Sequence, residues 1–335
     1  LFFFTKKTAY EILSGLVGSE MCIRDREIEL QTTLKQEIKC DGIGLHSGVK
    51  VSLKIKPSAA QYGIWFRRTD INTKDNMIAA HYLNVSESEL CTTLSNESGA
   101  TISTVEHLMA AFAGCGIQNA LVEVDGPEIP IMDGSSDWFV RKIISVGTKQ
   151  LIEPLRVIHV KKEISVETDN SYASITPFRE LSISFEIDFE DEAIGYQKKS
   201  LNMANGSFVK ELCNSRTFCR NSDVEVMKKN GLALGGSLDN AIVVSGEKVL
   251  NPEGFRYKDE CVRHKMLDVL GDLALAGVPI IGAFKGSKSG HSLTNKLLRK
   301  LFSDSSAFEM TVCSEKTASV LPGVGIVKDD LPSLY

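Results

Sequence analysis

The sequence lacks several features that would assign it to a familiar class of protein. No uninterrupted apolar run reaches the roughly 18 residues that suggest a membrane-spanning helix, so we expect no transmembrane segment. Basic residues are not in excess, since 38 lysines and arginines stand against 43 acidic residues, which argues against a general nucleic-acid-binding protein. The eight cysteines form no Cys-x-x-Cys pair, and we expect reduced thiols in a cytoplasmic protein.

The apolar content is sufficient for a large core. Of the 335 residues, 43% are hydrophobic, and the length favours two domains over one. Residues 1–26 stand apart, because they show no signal-peptide pattern and because Leu16–Arg26 resembles a translated sequencing-adapter read. We interpret residues 1–26 as a non-native extension outside the fold, with a natural amphipathic extension as the alternative.

Residues 27–150 are predicted to form the first of two α+β domains. Alternating or continuous apolar residues indicate three short strands: Val51–Lys56, Ile64–Phe66 and Ala120–Val124. The helical spacing of apolar residues predicts two helices: Thr101–Gly114 and Trp138–Val146. A turn-rich run, Asp125–Ser136, lies before the second helix, and Gly147–Pro154 is predicted to be a linker.

Residues 151–310 repeat this order of patterns. Three strands are predicted: Val157–Val166, Leu181–Phe189 and Val278–Phe284. Two helices are predicted: Val262–Leu275 and Leu293–Phe302. Because each half combines strands, a histidine-bearing helix, a glycine turn and a further strand, we expect a duplicated α+β unit, followed by a C-terminal tail at residues 311–335.

Three short clusters carry groups that could perform chemistry: Ser103–His107, His264–Asp268 and Lys288–His291. In the second cluster, His264 and Asp268 are four residues apart and therefore share one face of a helix. An imidazole and a carboxylate placed in this way can both bind zinc, with a third protein ligand from elsewhere and water in the fourth position. A surface hydrogen bond or ion pair explains the same spacing.

The cluster Ser103–His107 supports two interpretations. Ser103 and Glu106 have the spacing of a capping box, in which Glu106 only bonds back to the amide that begins the helix. Alternatively, Glu106 is a general base beside a metal-binding His107 at the mouth of a cleft. The spacing alone does not decide between them.

His291 comes shortly after the predicted strand that ends at Phe284, and polar residues at such positions often build sites. Four basic residues lie near His264 and His291 in the sequence: Arg263, Lys265, Lys285 and Lys288. Such a cluster suits a phosphate-bearing substrate, because ammonium and guanidinium groups bind phosphate through charge-assisted hydrogen bonds. A solvated basic face is the alternative.

Seven longer motifs resemble, in the same order, those of the UDP-3-O-acyl-N-acetylglucosamine deacetylases, a family of zinc enzymes of lipid A biosynthesis. The motifs are Gly42–Gly48, Ile102–Ala111, Glu123–Gly134, Ser215–Phe218, Gly231–Val244, Arg263–Asp272 and Ile280–His291. They cover nearly everything between Thr33 and Leu301. Seven motifs in register are more specific than any single spacing.

The resemblance implies a zinc cofactor held by three residues: His107, His264 and Asp268. Glu106 would be the general base that takes a proton from the attacking water, and His291 the general acid that protonates the leaving amine. The Thr217 hydroxyl, with protonated His291 nearby, would stabilise the oxyanion. Asp272 would orient and support His291.

The resemblance also implies how the substrate is held. Lys265 and Lys288 would contact substrate oxygens or the diphosphate. Phe218 would contact the substrate, and His46 would lie near the site. The two remaining histidines, His81 and His159, match no motif, and we expect both to be structural.

The implied fold is α+β, with two related domains, each a two-helix layer packed on a mixed β-sheet, and the site between them. A small β-α-β insert in the second domain, at about residues 219–250, would form an apolar passage for the acyl chain. Four residues either line this passage or pack within the insert: Val224, Val226, Met227 and Leu232. The sequence departs from the family pattern at Phe218–Arg220 and Gly286–Ser287, which puts the acyl-chain preference in doubt.

Together these implications predict hydrolysis of the N-acetyl group of UDP-3-O-(3-hydroxyacyl)-N-acetylglucosamine, releasing acetate in the committed step of lipid A biosynthesis. The expected partner is this UDP-sugar lipid, with no nucleic acid, and we expect a monomer. One alternative is a zinc deacetylase for another N-acyl sugar. The other is a non-catalytic nucleotide-sugar or acyl-chain binding protein, in which the same residues form a structural polar network without stoichiometric metal.

Overall fold

A computed structural model describes residues 28–86 and 90–333 of the chain. The predicted non-native extension, residues 1–26, lies outside the described residues. The elements up to residue 154 are β1 (Leu30–Leu34), β2 (Ile38–Ile43), β3 (Lys50–Pro57), β4 (Ile64–Arg68), β5 (Met77–Ala79), β6 (Val85–Ser86), β7 (Thr93–Ser95), β8 (Thr101–Ile102), α1 (Glu106–Gly114), β9 (Ala120–Val124), α2 (Asp137–Val146) and β10 (Thr148–Pro154).

The first half is built on a five-stranded mixed sheet with the order β2-β3-β9-β4-β5. Strand β3 alternates strictly, with Val51, Leu53 and Ile55 buried and the residues between them exposed, as its sequence pattern predicts. Strands β4 and β9 pair in parallel, and α1 lies in the connection between them. Parallel neighbours need such a crossover, so α1 is held against the sheet and is buried over almost its whole length.

The second half continues from residue 156. Its elements are β11 (Arg156–Val160), β12 (Ile164–Glu167), β13 (Tyr172–Thr176), β14 (Leu181–Asp188), β15 (Tyr196–Asn202), β16 (Phe218–Arg220), α3 (Asn221–Lys229), β17 (Ile242–Ser245), β18 (Lys248–Val249), α4 (Glu260–Ala274), β19 (Ile280–Ser287), α5 (His291–Ser303), β20 (Phe308–Val312) and α6 (Glu315–Ala318). Short non-α helical turns occur at Tyr82–Asn84, Phe208–Leu212 and Lys328–Asp330.

The second sheet has seven strands, and β19 is at its centre. Strand β19 pairs antiparallel with β13 and parallel with both β14 and β11. Helix α4 precedes β19 and α5 follows it, so that each half combines one mixed sheet with two principal helices. This arrangement confirms the predicted α+β class. The division between residues 150 and 151 remains a prediction, and β10 crosses it.

Helices α1 and α4 bring the two halves together. At their crossing, a methyl group on Gly271 of α4 would overlap the backbone of Glu106, so only glycine allows this approach. Glu106 is the first residue of α1. The crossing therefore places the beginning of α1 directly against the face of α4 that carries Asp268 and Asp272.

The insert has the predicted β-α-β form. Strands β16 and β17 pair in parallel with α3 between them, and β18 adds an antiparallel edge strand. No residue of α3 is buried, so this helix is not a core element and leaves its apolar side chains available to line a cavity.

Three of the predicted element boundaries are wrong. The helix predicted from Thr101 begins at Glu106, because Thr101–Ile102 pairs with β7 and Thr104 has a positive φ of 57° that ends any helical run. The predicted linker Gly147–Pro154 is largely strand β10, which pairs with β1. The predicted strand Val157–Val166 is two strands, interrupted by the charged residues 161–163.

The chain after residue 310 packs against the second half. Leu321 is buried in a small apolar cluster with residues of β11 and β19, and Arg141 of α2 donates a hydrogen bond to the carbonyl of Pro332. In the described ranges no helix combines the length and apolar character needed to cross a bilayer. Six cysteines carry free thiols, as predicted: Cys40, Cys115, Cys213, Cys219, Cys261 and Cys313.

Candidate metal centre and active site

His107, His264 and Asp268 converge at the crossing of α1 and α4. Their potential ligand atoms all lie within 4.8 Å of one another, and all three side chains are buried. Asp268 Oδ1 is 3.4 Å from His264 Nε2 and 3.6 Å from His107 Nε2. Two imidazoles and one carboxylate at such distances form a donor set that could hold a metal ion.

The backbone fixes which ring nitrogen of His264 faces this point. His264 Nδ1 lies 3.0 Å from the carbonyl oxygen of Ser215, which can only accept a hydrogen bond. Nδ1 must therefore carry the proton, so Nε2 presents a lone pair toward Asp268 and His107. A backbone carbonyl that orients a histidine in this way is typical of metal ligands.

Asp268 provides the clearest test of whether a cation fits. Its Oδ2 accepts a hydrogen bond from Lys265 Nζ at 2.8 Å, but its Oδ1 is fully buried and has no hydrogen-bond partner among the residues that the structure describes. A buried carboxylate oxygen without a partner is costly, and a cation between the three side chains would remove that cost. The residues present thus fit a metal ion.

The ionisation states also suit metal binding. Burial, followed by the nearby His264, lowers the pKa of His107 to about 3, and burial lowers the pKa of His264 as well. Burial opposes ionisation of Asp268, but His264 and Lys265 outweigh it and lower the pKa of this carboxyl. Neutral imidazoles and an ionised carboxylate are the forms that bind metal, so no proton has to be displaced near neutral pH.

Glu106 and His291 lie beside this centre. Glu106 Oε2 accepts a hydrogen bond from the Thr92 amide at 3.0 Å, and Glu106 Oε1 is 3.7 Å from His291 Nε2. The capping-box interpretation is wrong, because Val105 is the residue that precedes the helix and the carboxylate reaches Thr92 instead of the Ser103 backbone. The Glu106 side chain is therefore directed into the site.

A hydrogen-bonded chain supports His291 from behind. His291 Nδ1 is 2.8 Å from Asp272 Oδ2, and Asp272 Oδ1 accepts a hydrogen bond from Thr92 Oγ1 at 2.6 Å. Asp272 lies one helical turn after Asp268 on α4, which is the relation expected from their spacing. Thr92 thus contacts both acidic residues that flank His291.

The pKa values of Glu106 and His291 are both raised above those of ordinary side chains, but for different reasons. Burial raises the pKa of Glu106 to about 8, with His291 acting against the rise. Burial alone would lower the pKa of His291, but Asp272 and Glu106 outweigh it and raise that pKa to about 10. A cation beside Glu106 would lower its pKa, since a positive charge favours the carboxylate. The pair then holds a base and a protonated acid side by side.

A cavity of about 670 Å³ opens over the centre. Besides the residues described above, its lining includes four predicted site residues: His46, Thr217, Phe218 and Lys265. The four apolar insert residues named from the sequence also line it, which favours the passage interpretation over internal packing: Val224, Val226, Met227 and Leu232. Cys219 and Arg220, at the departure from the family pattern, lie on the same wall.

Apart from Asp272, which contacts His291 from behind, Lys288 is the one predicted site residue that does not line this cavity. Its ammonium group forms an ion pair with Asp188 at 2.8 Å on the surface. The four basic residues of the predicted cluster do not converge either, because Arg263 pairs with Asp259 and Glu211 and Lys285 is exposed on β19. Of the four, Lys265 alone lines the cavity.

Sequence reasoning missed three residues that hold the site together. They are Thr92, Ser215 and Glu128, the last a buried carboxylate that bonds the His46 loop and Thr104. Glu128 and Ser215 lie inside motifs that the sequence revealed, whereas nothing in the sequence marks Thr92. His81 caps the short turn that begins at Tyr82 and does not line the cavity, which is compatible with the structural role expected for it.

Comparisons with known proteins give the family to which the sequence is similar. The family model described as LpxC: UDP-3-O-acyl N-acetylglycosamine deacetylase matches residues 31–303. The UDP-3-O-acyl-N-acetylglucosamine deacetylase of Actinobacillus succinogenes is 48% identical over 288 residues, which are 85% of this chain and 94% of that protein. The proteins of the same name from Pasteurella multocida and Vibrio parahaemolyticus are 46% and 45% identical, each covering 86% of this chain and 95% of its own length.

Proposed function

The chain belongs to the UDP-3-O-acyl N-acetylglycosamine deacetylase family, and from this membership we propose that it is a zinc-dependent amide hydrolase. It removes the N-acetyl group of UDP-3-O-(3-hydroxyacyl)-N-acetylglucosamine and releases acetate, in the committed step of lipid A biosynthesis. The observation that carries the proposal is the unpartnered Asp268 Oδ1 between two histidines, with Glu106 and His291 beside it.

The metal ligands in this proposal are His107, His264 and Asp268. Zinc suits two neutral imidazoles and one carboxylate, and these three ligands leave a coordination position open. A zinc ion bound there would act as a Lewis acid that activates water and polarises the amide carbonyl.

Glu106 and His291 move the protons of the reaction. The Glu106 carboxylate takes a proton from the attacking water, whose oxygen bonds to the acetyl carbonyl carbon. The Thr217 hydroxyl and the protonated His291 stabilise the oxyanion that results. The carbon–nitrogen bond then breaks as His291 gives its proton to the nitrogen, so that acetate and a free amine leave. Asp272 holds His291 protonated and oriented for this step.

The cavity suggests how the substrate lies. Its apolar wall, formed by the insert, suits the acyl chain, and Lys265, which pairs with Asp268, lies at the metal centre. Phe218 lines the same cavity, with its ring 6.3 Å from that of His264 and 5.9 Å from Lys265 Nζ. A role for Lys288 would require its side chain to leave Asp188.

The proposal is tested by measuring bound metal and acetate release on the same preparation of purified chain. We expect about one zinc ion per chain, from the single three-ligand site, and acetate release that stops on chelation and returns with added zinc. Metal without acetate release would retain the hydrolase class and reject the substrate. Folded protein with neither would support the binding-protein alternative. We further propose a monomeric, cytoplasmic enzyme, consistent with its free thiols.

We expect Asp272→Asn to shift the alkaline limb of the pH–rate profile to lower pH. His291 must be protonated to act as an acid, so activity falls as pH rises through its pKa, which Asp272 raises. Losing this charged partner removes on the order of 1.5–3 kcal/mol of stabilisation from the protonated imidazole. The pKa of His291, and with it the alkaline limb, should therefore fall by about one to two pH units. The control is Asp259→Asn, which removes a carboxylate that pairs with Arg263 and Lys199 at the start of the same helix. An unmoved limb in Asp272→Asn would contradict the assigned role.

A further inference from the structure

Two loops from different halves of the chain meet backbone to backbone at the rim of the cavity. One comprises residues 44–48, after β2, and the other comprises residues 233–236 of the insert. We call this contact the clasp. The approach is so close that a methyl group on Gly235 would overlap the carbonyl oxygen of Gly44. Glycine is therefore required at the contact.

Three hydrogen bonds join the two loops. The Leu234 amide donates to the carbonyl of His46 at 3.1 Å, and the Gly235 amide donates to the carbonyl of Leu45 at 3.0 Å. The Ala233 amide also donates to His46 Nδ1 at 3.4 Å. The main contact is made by backbone groups, so its strength depends on how well the first loop is held in place.

A single buried carboxylate holds that first loop. Glu128 is 1% exposed, and its oxygens accept hydrogen bonds from the His46 amide at 2.9 Å and the Ser47 amide at 2.8 Å. It accepts a third from Thr104 Oγ1 at 2.7 Å. A buried carboxylate is tolerated when donors surround it, and here the donors come from two separate segments.

Thr104 extends the connection to the chemistry. It has a φ of 57°, which is unfavourable for a β-branched residue, and it lies two residues before Glu106. The bond to Glu128 helps to hold this strained backbone. Glu128 therefore contacts both the loop that receives the insert and the segment that leads into α1.

We propose that Glu128 is a positioning residue that holds the insert against the first half of the protein through the clasp, and so sets the affinity for the acyl chain. Residues of both loops line the cavity, Leu45 and His46 on one side and Leu232 and Ala233 on the other. Separating the two loops would widen the cavity at the wall that the acyl chain contacts. The acyl-chain part of this inference rests on the proposed function, whereas the docking of the insert does not.

Hydrogen exchange on Glu128→Gln tests the docking directly. Glutamine retains the shape of the glutamate side chain but replaces one of its two oxygens with an NH2 group. Because both oxygens of Glu128 accept hydrogen bonds, at least one of these bonds is lost. We expect exchange of the Leu234 and Gly235 amides to accelerate about tenfold or more, while amides of β9 keep their wild-type rates. The control is Glu123→Gln, which removes a β9 carboxylate that pairs with Lys56 and Arg67.

Kinetics with two acyl-chain lengths test the consequence for substrate. For Glu128→Gln we expect KM to rise about tenfold or more for a long-chain 3-hydroxyacyl substrate and much less for a short-chain analogue, with kcat changed little. Gly235→Ala opens the clasp from the insert side without touching Glu128, and it should give the same pattern. Glu123→Gln should leave both KM values unchanged.

Equal acceleration of exchange in β9 would mean that Glu128 only stabilises the fold, and would overturn the inference. An equal rise in KM with both chain lengths, or a fall in kcat alone, would place the effect of the substitution at α1. Either result would also overturn the inference. If the wild-type chain releases no acetate, the proposed function fails, and the exchange of the Leu234 and Gly235 amides alone decides the docking role.

Discussion

Replacing His264 with alanine is expected to remove both the bound metal and the acetate-releasing activity. The substitution leaves two protein ligands and exposes the unpartnered Asp268 Oδ1 to an empty, buried space. Loss of an outer-shell partner of a metal ligand already weakens binding about 10- to 100-fold, so loss of a ligand itself should exceed 100-fold. Metal analysis after gel filtration, together with the acetate assay, measures both effects.

His159→Ala is the matched control for this experiment. His159 lies in β11 and does not line the cavity. We expect this variant to retain its metal and its activity. Full metal content in His264→Ala would mean that the ion is held elsewhere, and the centre described above would then be wrong. Loss of metal with undiminished turnover would separate the metal from the chemistry.

The parts of the site that could be predicted from the sequence are those that depend on one helix. His264, Asp268 and Asp272 recur every four residues, and the helical period alone places them on one face of α4. Glu106 and His107 differ, because only the crossing at Gly271 brings α1 onto that face. The motif resemblance supplied this connection, which neither composition nor periodicity contains.

Non-local pairing accounts for the errors in the fold. The run Gly147–Pro154, predicted to be a linker, is bonded to β1, more than 110 residues earlier. The predicted start of α1 failed for a related reason. Thr101 and Ile102 fit a helical period, but β7 and the positive φ of Thr104 hold them in a strand.

The charge pattern of the sequence also did not predict which basic side chains reach the site. The cluster Arg263, Lys265, Lys285 and Lys288 lies within 26 positions and is predicted to suit a phosphate-bearing substrate, with a solvated basic face as the alternative. In the fold, however, Arg263 and Lys288 are paired with surface carboxylates, and the charge that reaches the site is that of Lys265. Nearness in the sequence does not determine which face of an element carries a long side chain, particularly where a strand and a turn lie between.

Glu106→Gln is expected to abolish most activity while the metal stays bound. Glutamine still offers an oxygen to the Thr92 amide, so the geometry of the helix start is kept, but it cannot take a proton. General base catalysis contributes about 10²- to 10⁴-fold, so kcat should fall by that factor with little change in KM. Glu180→Gln, at another buried carboxylate that bonds Asn202, is the control and should keep kcat.

The pH profile gives this prediction a second, independent measurement. Glu106 must be ionised to act as a base, so wild-type activity rises with pH through its pKa, which is about 8 before a cation lowers it. The residual activity of Glu106→Gln should lack this acid limb, and its alkaline limb should move to lower pH, because Glu106 helps Asp272 to raise the pKa of His291. An acid limb that persists in the variant would assign the base to another residue. Loss of metal would instead show that Glu106 is needed for the centre to form, because its carboxylate lies beside His107 at the start of α1.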